Sequence, residues 1–489
     1  MTRITMRAST ALAATLTIFA LPDAVKAHGV DLPTSCKEEA DAAVDEGLSL
    51  MHNMMYIQAE DAFDQAAASD PDCAMAQWGI AMANFHPLWP GNPSPEETAK
   101  GTEAAERLAD LTTGNDLERG LTKAALAFYA PEHDGYRAQI NAWAAAQIDA
   151  YEANPDSVDA AAFAALAMLA SAPPGEGGIA INAAAGDLLD TLHKSAPHHP
   201  GVIHYAIHAY DNPPLKDRGA PYAVIYDKTA PNAAHALHMP SHIFTRTGDW
   251  AASIELNRRS AEAAMESSDT ILETHYVHAV DYMVYGLLQL DRPEEAQALV
   301  DKMLAMDNHQ VSFGGAYALA ASPLRLLLEQ EKWAEAGAVS HELHPSIPWE
   351  NFPQTEAMLW FAKGIGAARS GDLEAARADV VKLNALHQVM VERDQDYWAK
   401  LTEGQILSVD AWIELARGNG EQAVKMQEKA ADLEDSIGKS PVTPGHVLPA
   451  RELLGDIYLE LGAPEKAAEA YRATLELSPN RARSLAALR

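Results

Sequence analysis

Cysteine, positive charge and extended structure are all scarce in this 489-residue chain. Cys36 and Cys73 are its only cysteines. In an oxidising compartment such an isolated pair forms a disulfide more often than it supplies a metal ligand or a nucleophile, two separate buried thiols being the alternative. No CxxC, GxSxG, Walker loop, GxGxxG or HExxH occurs, and "SHELHPS" at 340–346 offers only HExH, a different geometry. Thiol oxidoreductases, serine hydrolases and nucleotide-dependent enzymes are therefore disfavoured. Lys and Arg number 36 against 69 Asp and Glu, a formal charge of −33. Such a surface repels nucleic acid and anionic membrane and suits cations, a neutral small molecule or a peptide. No alternation of Val, Ile and Thr argues for a sheet, and no stretch reaches the roughly 20 apolar residues of a membrane helix.

Residues 1–27 carry Arg3 and Arg7 ahead of an apolar run from Ala11 to Leu21, then small residues at Val25 and Ala27. This is the pattern of a cleaved secretory signal, so the mature chain, 28–489, is expected to be periplasmic or secreted. The leader holds three basic residues and one acidic, so its removal takes the charge to −35. A mature terminus at His28 would offer an amine and an imidazole on one residue, a chelate that copper favours, or be a plain extension.

Gly47, Ala59, Phe63, Ala66 and Pro71 fall at the spacings of the 34-residue tetratricopeptide repeat, as do Leu454, Gly455, Tyr458, Ala467, Tyr471 and Pro479 near the other end. Between them hairpin turns recur at Gly248, Asp291, Trp333, Gly371 and Gly418. The expected fold is an all-α solenoid, each hairpin burying its apolar face on the next. Its repeats are regular over about 40–90 and 200–489, with a less regular helical middle over 91–199. Within that middle, Ser94 followed by Glu97 reads as a helix N-terminus.

The chain has 19 histidines. His204 and His208 lie four apart in "PGVIHYAIHAYD", His238 and His242 four apart in "HALHMPSHIF", and the pairs are offset by 34 residues, one repeat. Four residues of helix nearly complete a turn, so each pair projects from one face. Equivalent helices of stacked repeats lie roughly 8–10 Å apart, so the four rings can converge. An i, i+4 pair is also how a helix commonly offers two imidazoles to one ion, and imidazole suits zinc, copper or iron. Counting back from the turn at Asp291 gives Asp281 and Tyr285 the equivalent places in the next repeat, as base or ligand orienter and as donor, with His278 and His275 beside them. Asp211, one turn beyond His208, is a candidate further ligand, partner fixing an imidazole tautomer, or general base. His52 and His86, also 34 apart, are possible additions from a facing wall, with Trp78 and Trp89 between. Met51, Met54 and Met55 read as core. Pro240 either kinks the helix between His238 and His242 or starts it, leaving His238 on a loop.

The segments "LPTSC", "DPDCAMAQWGIAMANFHPLW", "HPGVIHYAIHAYD", "APNAAHALHMPSHIFTRTGDW" and "HAVDYMVYGLLQ" resemble a family of exported bacterial tetratricopeptide-repeat proteins. The resemblance implies a right-handed superhelix with the first helix of each repeat on the concave wall. The ligand-facing fifth and ninth positions then fall on His204 and His208, His238 and His242, and Asp281 and Tyr285. It implies no reaction. Two functions remain: a metalloprotein holding a transition metal on His204, His208, His238, His242 and His278, with oxidative or hydrolytic chemistry, and a metal-free scaffold whose groove takes a peptide.

Overall fold

A computed structural model describes residues 30, 32–89, 92–173, 175–266, 274–340 and 344–489; the expected leader and His28 lie outside them. Among these residues the chain is all-α, without an extended strand. Successive helices pack as hairpins: Glu38–His52 on Tyr56–Ser69, that helix on Ala74–Phe85, and so on to Asp396–Ala416 on Gly420–Ile437 and Ala450–Glu460 on Pro464–Leu477. The turns work as their residues suggest. Gly248, Asp291, Glu331, Gly371 and Gly418 all have positive φ, the left-handed conformation that ends one helix and redirects the chain.

Small residues sit where helices approach closely. A Cβ on Gly47 or Gly79 would lie within 2.8 or 2.3 Å of the buried Phe63 ring, so both glycines give that ring its space. The middle stretch, expected to be helical but less regular, consists of Pro95–Asp110, Asp116–Phe128, Tyr136–Ala153, Val158–Ser171 and Glu176–Ser195 packed in sequence. Ser94 closes the first of these with a capping box, its hydroxyl accepting from Glu97 N at 3.1 Å while its own N–H donates to Glu97 Oε2 at 2.6 Å. Cys36 and Cys73 form a disulfide tying the segment before the first helix to the start of Ala74–Phe85. Among the described residues no helix is long and apolar enough to cross a membrane.

Two long-range closures turn this stack of hairpins into an enclosure. Helix Pro200–Tyr210 packs on Glu38–His52, and the last helix, Ala482–Ala487, packs on Thr274–Gln289. Segment 438–449, between two helices, crosses the interior. It is strapped there by Tyr282 Oη donating to Pro441 O (3.2 Å) and by Arg325 donating to Gly445 O (2.9 Å) and Thr443 Oγ1 (2.8 Å).

Candidate metal centre

Helix Pro200–Tyr210 begins with proline at a position where its missing N–H is harmless, and His199 Nδ1 caps it by accepting from Val202 N at 3.3 Å. His204 is fully buried, and its Nδ1–H donates to His52 O at 2.6 Å. That carbonyl ends helix Glu38–His52 and has no partner within its own helix, so it is a ready acceptor. Gly201 makes the approach possible, since a Cβ there would lie 2.3 Å from His52 Nδ1. His208, one turn on, brings its Nε2 to 3.1 Å from His204 Nε2.

The next wall is two short helices, Ala234–His238 and Pro240–Thr247, meeting at Met239, which keeps helical φ and ψ. Pro240 thus breaks the helix rather than leaving His238 on a loop, and the His238 carbonyl takes the Ser241 hydroxyl at 2.6 Å. His238 Nδ1–H donates to Asn257 Oδ1 at 2.6 Å, the amide being oriented by its own Nδ2–H on Ser253 O. His242 Nδ1–H donates to Asp211 Oδ2 at 2.8 Å. Arg246 Nε holds the other Asp211 oxygen at 2.8 Å, with Lys439 Nζ 3.4 Å away. Burial opposes ionisation of Asp211, but Lys439, Arg246 and the His242 hydrogen bond keep its carboxyl well below the usual range. It is a carboxylate whose hydrogen bond fixes the His242 tautomer.

The third wall is helix Thr274–Gln289, where His275, His278 and Tyr282 follow His235, His238 and His242 by 40 residues each. Their rings meet: His238 lies 4.4 Å from His278 and 4.6 Å from Tyr282, and His235 lies 5.4 Å from His275. This corrects the placement expected for Asp281 and Tyr285. Asp281 is enclosed by Arg325 (Nε at 2.8 Å) and Ser322 (3.2 Å), and the Tyr285 hydroxyl lies under Arg481 (3.1 Å), so neither is among the groups around the imidazoles. The reason is helix length. From His242 to the turn at Gly248 is six residues and from Tyr282 to the turn at Asp291 is nine, so counting back from the turn lands three residues too far on.

Two three-imidazole groups result, His204/His208/His235 and His238/His242/His278, the ligand atoms of each within 4.8 Å of one another. The tautomers bear on what they can do. With Nδ1 of both His238 and His242 donating, their Nε2 atoms are lone pairs facing each other at 2.9 Å with no proton between them. Nitrogen ligands at 2.0–2.1 Å from one ion lie about 3 Å apart, so a cation removes the repulsion. A proton would have to charge a buried ring. Burial, and then the neighbouring His278 and His242, push His238 well below the ordinary imidazole range. Burial takes His204 down to about 3 and His275 to about 4. His235, also pushed well down by burial and its imidazole neighbours, has no hydrogen-bond partner among the described residues at either nitrogen, and His278 Nδ1 has none among them either. Buried imidazole nitrogens are rarely left so.

His52 faces away from this cluster. Its Nε2–H and that of His199 both donate to Asp159 Oδ1 (2.9 and 3.0 Å), and Tyr205 Oη is 3.0 Å from its Nδ1, so the side chain is satisfied and only its carbonyl serves His204. His86, at the end of helix Ala74–Phe85, lines an outer groove of about 620 Å³ with Glu97 at 3.6 Å. Trp89 and His275 line both that groove and an inner chamber of about 70 Å³ that His208, His235, His242 and His278 reach. The imidazoles are thus under cover rather than on an open concave floor. His235, Tyr282, Asn257 and Lys439 escaped the sequence reading. The 40-residue offset of 235/238/242 to 275/278/282 is the signal that reveals the first two.

No family model and no curated protein matches the sequence. Among solved structures the chain is similar to a human IFIT1 dimer with m7Gppp-AAAA (12% identity, TM-score 0.38, 92% of each chain). It is also similar to the same protein with PPP-AAAA (11%, 0.36, 91% of this chain and 92% of that one). A third similar structure is the TPR domain of P58(IPK) (10%, 0.22, 92% of this chain and 96% of that one).

Proposed function

We propose that this protein binds a transition metal on the imidazole cluster, with His238, His242 and His278 as one ligand set and His204, His208 and His235 available as another. The observation that carries the reading is the pair of facing Nε2 lone pairs on His238 and His242, 2.9 Å apart with both Nδ1 atoms committed elsewhere. The two buried nitrogens of His235, unpartnered, support it. Neutral rings at neutral pH need lose no proton to bind. Each of these two groups is all nitrogen, unlike the separate His52/Asp159/His199 cluster, a donor set that suits copper or zinc better than the two-His-one-carboxylate pattern of non-haem iron. An ion held there would supply Lewis-acid or redox chemistry beside the inner chamber. Asp211 and Asn257 hold the rings, and Trp89 with Val442 limits water.

The metal-free scaffold is the weaker reading, because a peptide in the outer groove has no contact with His204 or His238, both buried. The disulfide and the leader pattern support an exported protein. The test is elemental analysis of protein purified without an affinity tag, beside the His238→Ala/His242→Ala variant. Near-stoichiometric copper or zinc that is lost in the variant, with helical content retained, is the expected result. Metal-free wild type that takes up none on exposure to either ion overturns the reading.

A further inference from the structure

The two imidazole groups abut. The His208 ring lies 6.1 Å from His242, and His235 lies 6.0 Å from His238 and 5.0 Å from His204. One cavity of about 70 Å³ touches His208 and His235 from the first group and His242 and His278 from the second. Its remaining wall is mostly apolar, with Met54, Leu88, Trp89, Pro441 and Val442. A space of this size holds a few water-sized atoms, and such a wall gives a polar guest little to bond to except the centres at its imidazole end.

Resting on the metal-binding reading, we infer that the two groups are halves of one dinuclear copper centre whose ions share a single small ligand of two or three heavy atoms in this chamber. Charge selects copper in its monovalent form. Two divalent ions on six neutral rings would bury four positive charges. Asp211, the nearby carboxylate, is already matched by Arg246 and Lys439. Two copper(I) ions halve that burden, and three neutral imidazoles satisfy each of them. Chamber volume excludes an amino acid or a nucleotide as the shared ligand. Trp89, with its ring 5.2 Å from His235 and 5.4 Å from His275, stands between the chamber and the outer groove, so larger molecules stop there.

Anaerobic titration of the metal-free full-length mature protein with copper(I), against a chromophoric copper(I) chelator, counts the sites. Two equivalents per chain are expected in the wild type, and one each in His235→Ala and His278→Ala, which remove one ligand from opposite groups. After oxidation to copper(II), the wild type should show a spin-coupled, diminished paramagnetic signal and bind one azide per pair of ions, whereas each single variant should show an ordinary isolated copper(II) signal. One equivalent in the wild type refutes the pair and leaves the metal-binding reading standing. Two equivalents with uncoupled spectra and one azide per ion refute the shared ligand. No copper bound by the folded wild type refutes the reading beneath as well. The wild-type count decides the first question even if a variant fails to fold.

Discussion

Asp211→Asn separates orientation from charge at the imidazole cluster. The new amide oxygen can still accept from His242 Nδ1, now 2.8 Å away, so the ring keeps its tautomer. What disappears is the negative charge between Arg246 and Lys439. Removing one partner of a buried ion pair costs about 3–5 kcal/mol because the survivor stays buried and unmatched. Two features put this case at the low end. Arg246 Nη2 keeps its bond to the Asp211 carbonyl at 3.0 Å. Lys439, already brought down to about 8 by burial and then by Arg246, can release its proton. We expect a loss of about 3 kcal/mol in urea unfolding at pH 7 and a 10- to 100-fold weaker metal affinity. Lys439→Met removes the costlier cation, so the double variant should regain part of the lost stability, a favourable coupling that a double-mutant cycle reads directly. An Asp211→Asn cost under 1 kcal/mol, or a double variant less stable than the sum of its singles, would falsify this account of the charge balance.

Acid should unfold the protein early. Burial lowers His52 to about 4 against 6.5 unfolded, so between those values the unfolded chain binds more protons and stability falls as pH drops from 6.5 toward 4, by about 1.4 kcal/mol per pH unit for that ring alone; a flat urea midpoint across this window contradicts it. Glu434 shifts the other way, burial raising it to about 8, so it favours the fold below pH 4.5 and that contribution is lost as pH rises toward 8. Glu434→Gln, which keeps the acceptor for Ala450 N, should therefore gain stability over wild type at pH 8 and not at pH 4, read by chemical denaturation at both. Gly201→Ala drives a methyl into His52 and should cost about 1–3 kcal/mol while loosening metal retention, with unchanged retention counting against the link from the His52 carbonyl to His204. Cys36→Ser/Cys73→Ser opens a crosslink between residues 37 apart and should lower stability by about 4 kcal/mol, visible as a drop in Tm that reductant reproduces in the wild type.

Helical hairpins and the pairs His204/His208 and His238/His242 were legible because both express periods that survive in one dimension: four residues within a helix, thirty-four between repeats. His278 was found as a neighbour, but its register was not. Six additional residues enter between helix Pro240–Thr247 and helix Thr274–Gln289 relative to the repeat, and a count anchored at the later turn chose Asp281 and Tyr285 where the packing chose His278 and Tyr282. His52 illustrates a different limit: its period with His86 is real, yet neighbours distant in sequence, Asp159 and His199, take its ring. Segment 438–449 left no periodic trace at all. Its Pro441 and Val442 reach the chamber through a strand of irregular backbone whose path is set by Arg325 and Tyr282, more than a hundred residues earlier.

That crossing segment also imposes an order of events on the maturing chain. Every imidazole of the cluster precedes residue 280, whereas the roof over them comes from the final tenth of the polypeptide. A chain emerging N-terminus first completes its ligands well before its cover, so the open interval is when an ion enters most easily. Once Tyr282 and Arg325 have strapped the segment down, passage on that side requires those hydrogen bonds to break, and Trp89 guards the other side. On the metal-binding proposal, the lifetime of an ion there would depend on local opening at 438–449 and on passage past Trp89 as well as on nitrogen ligation.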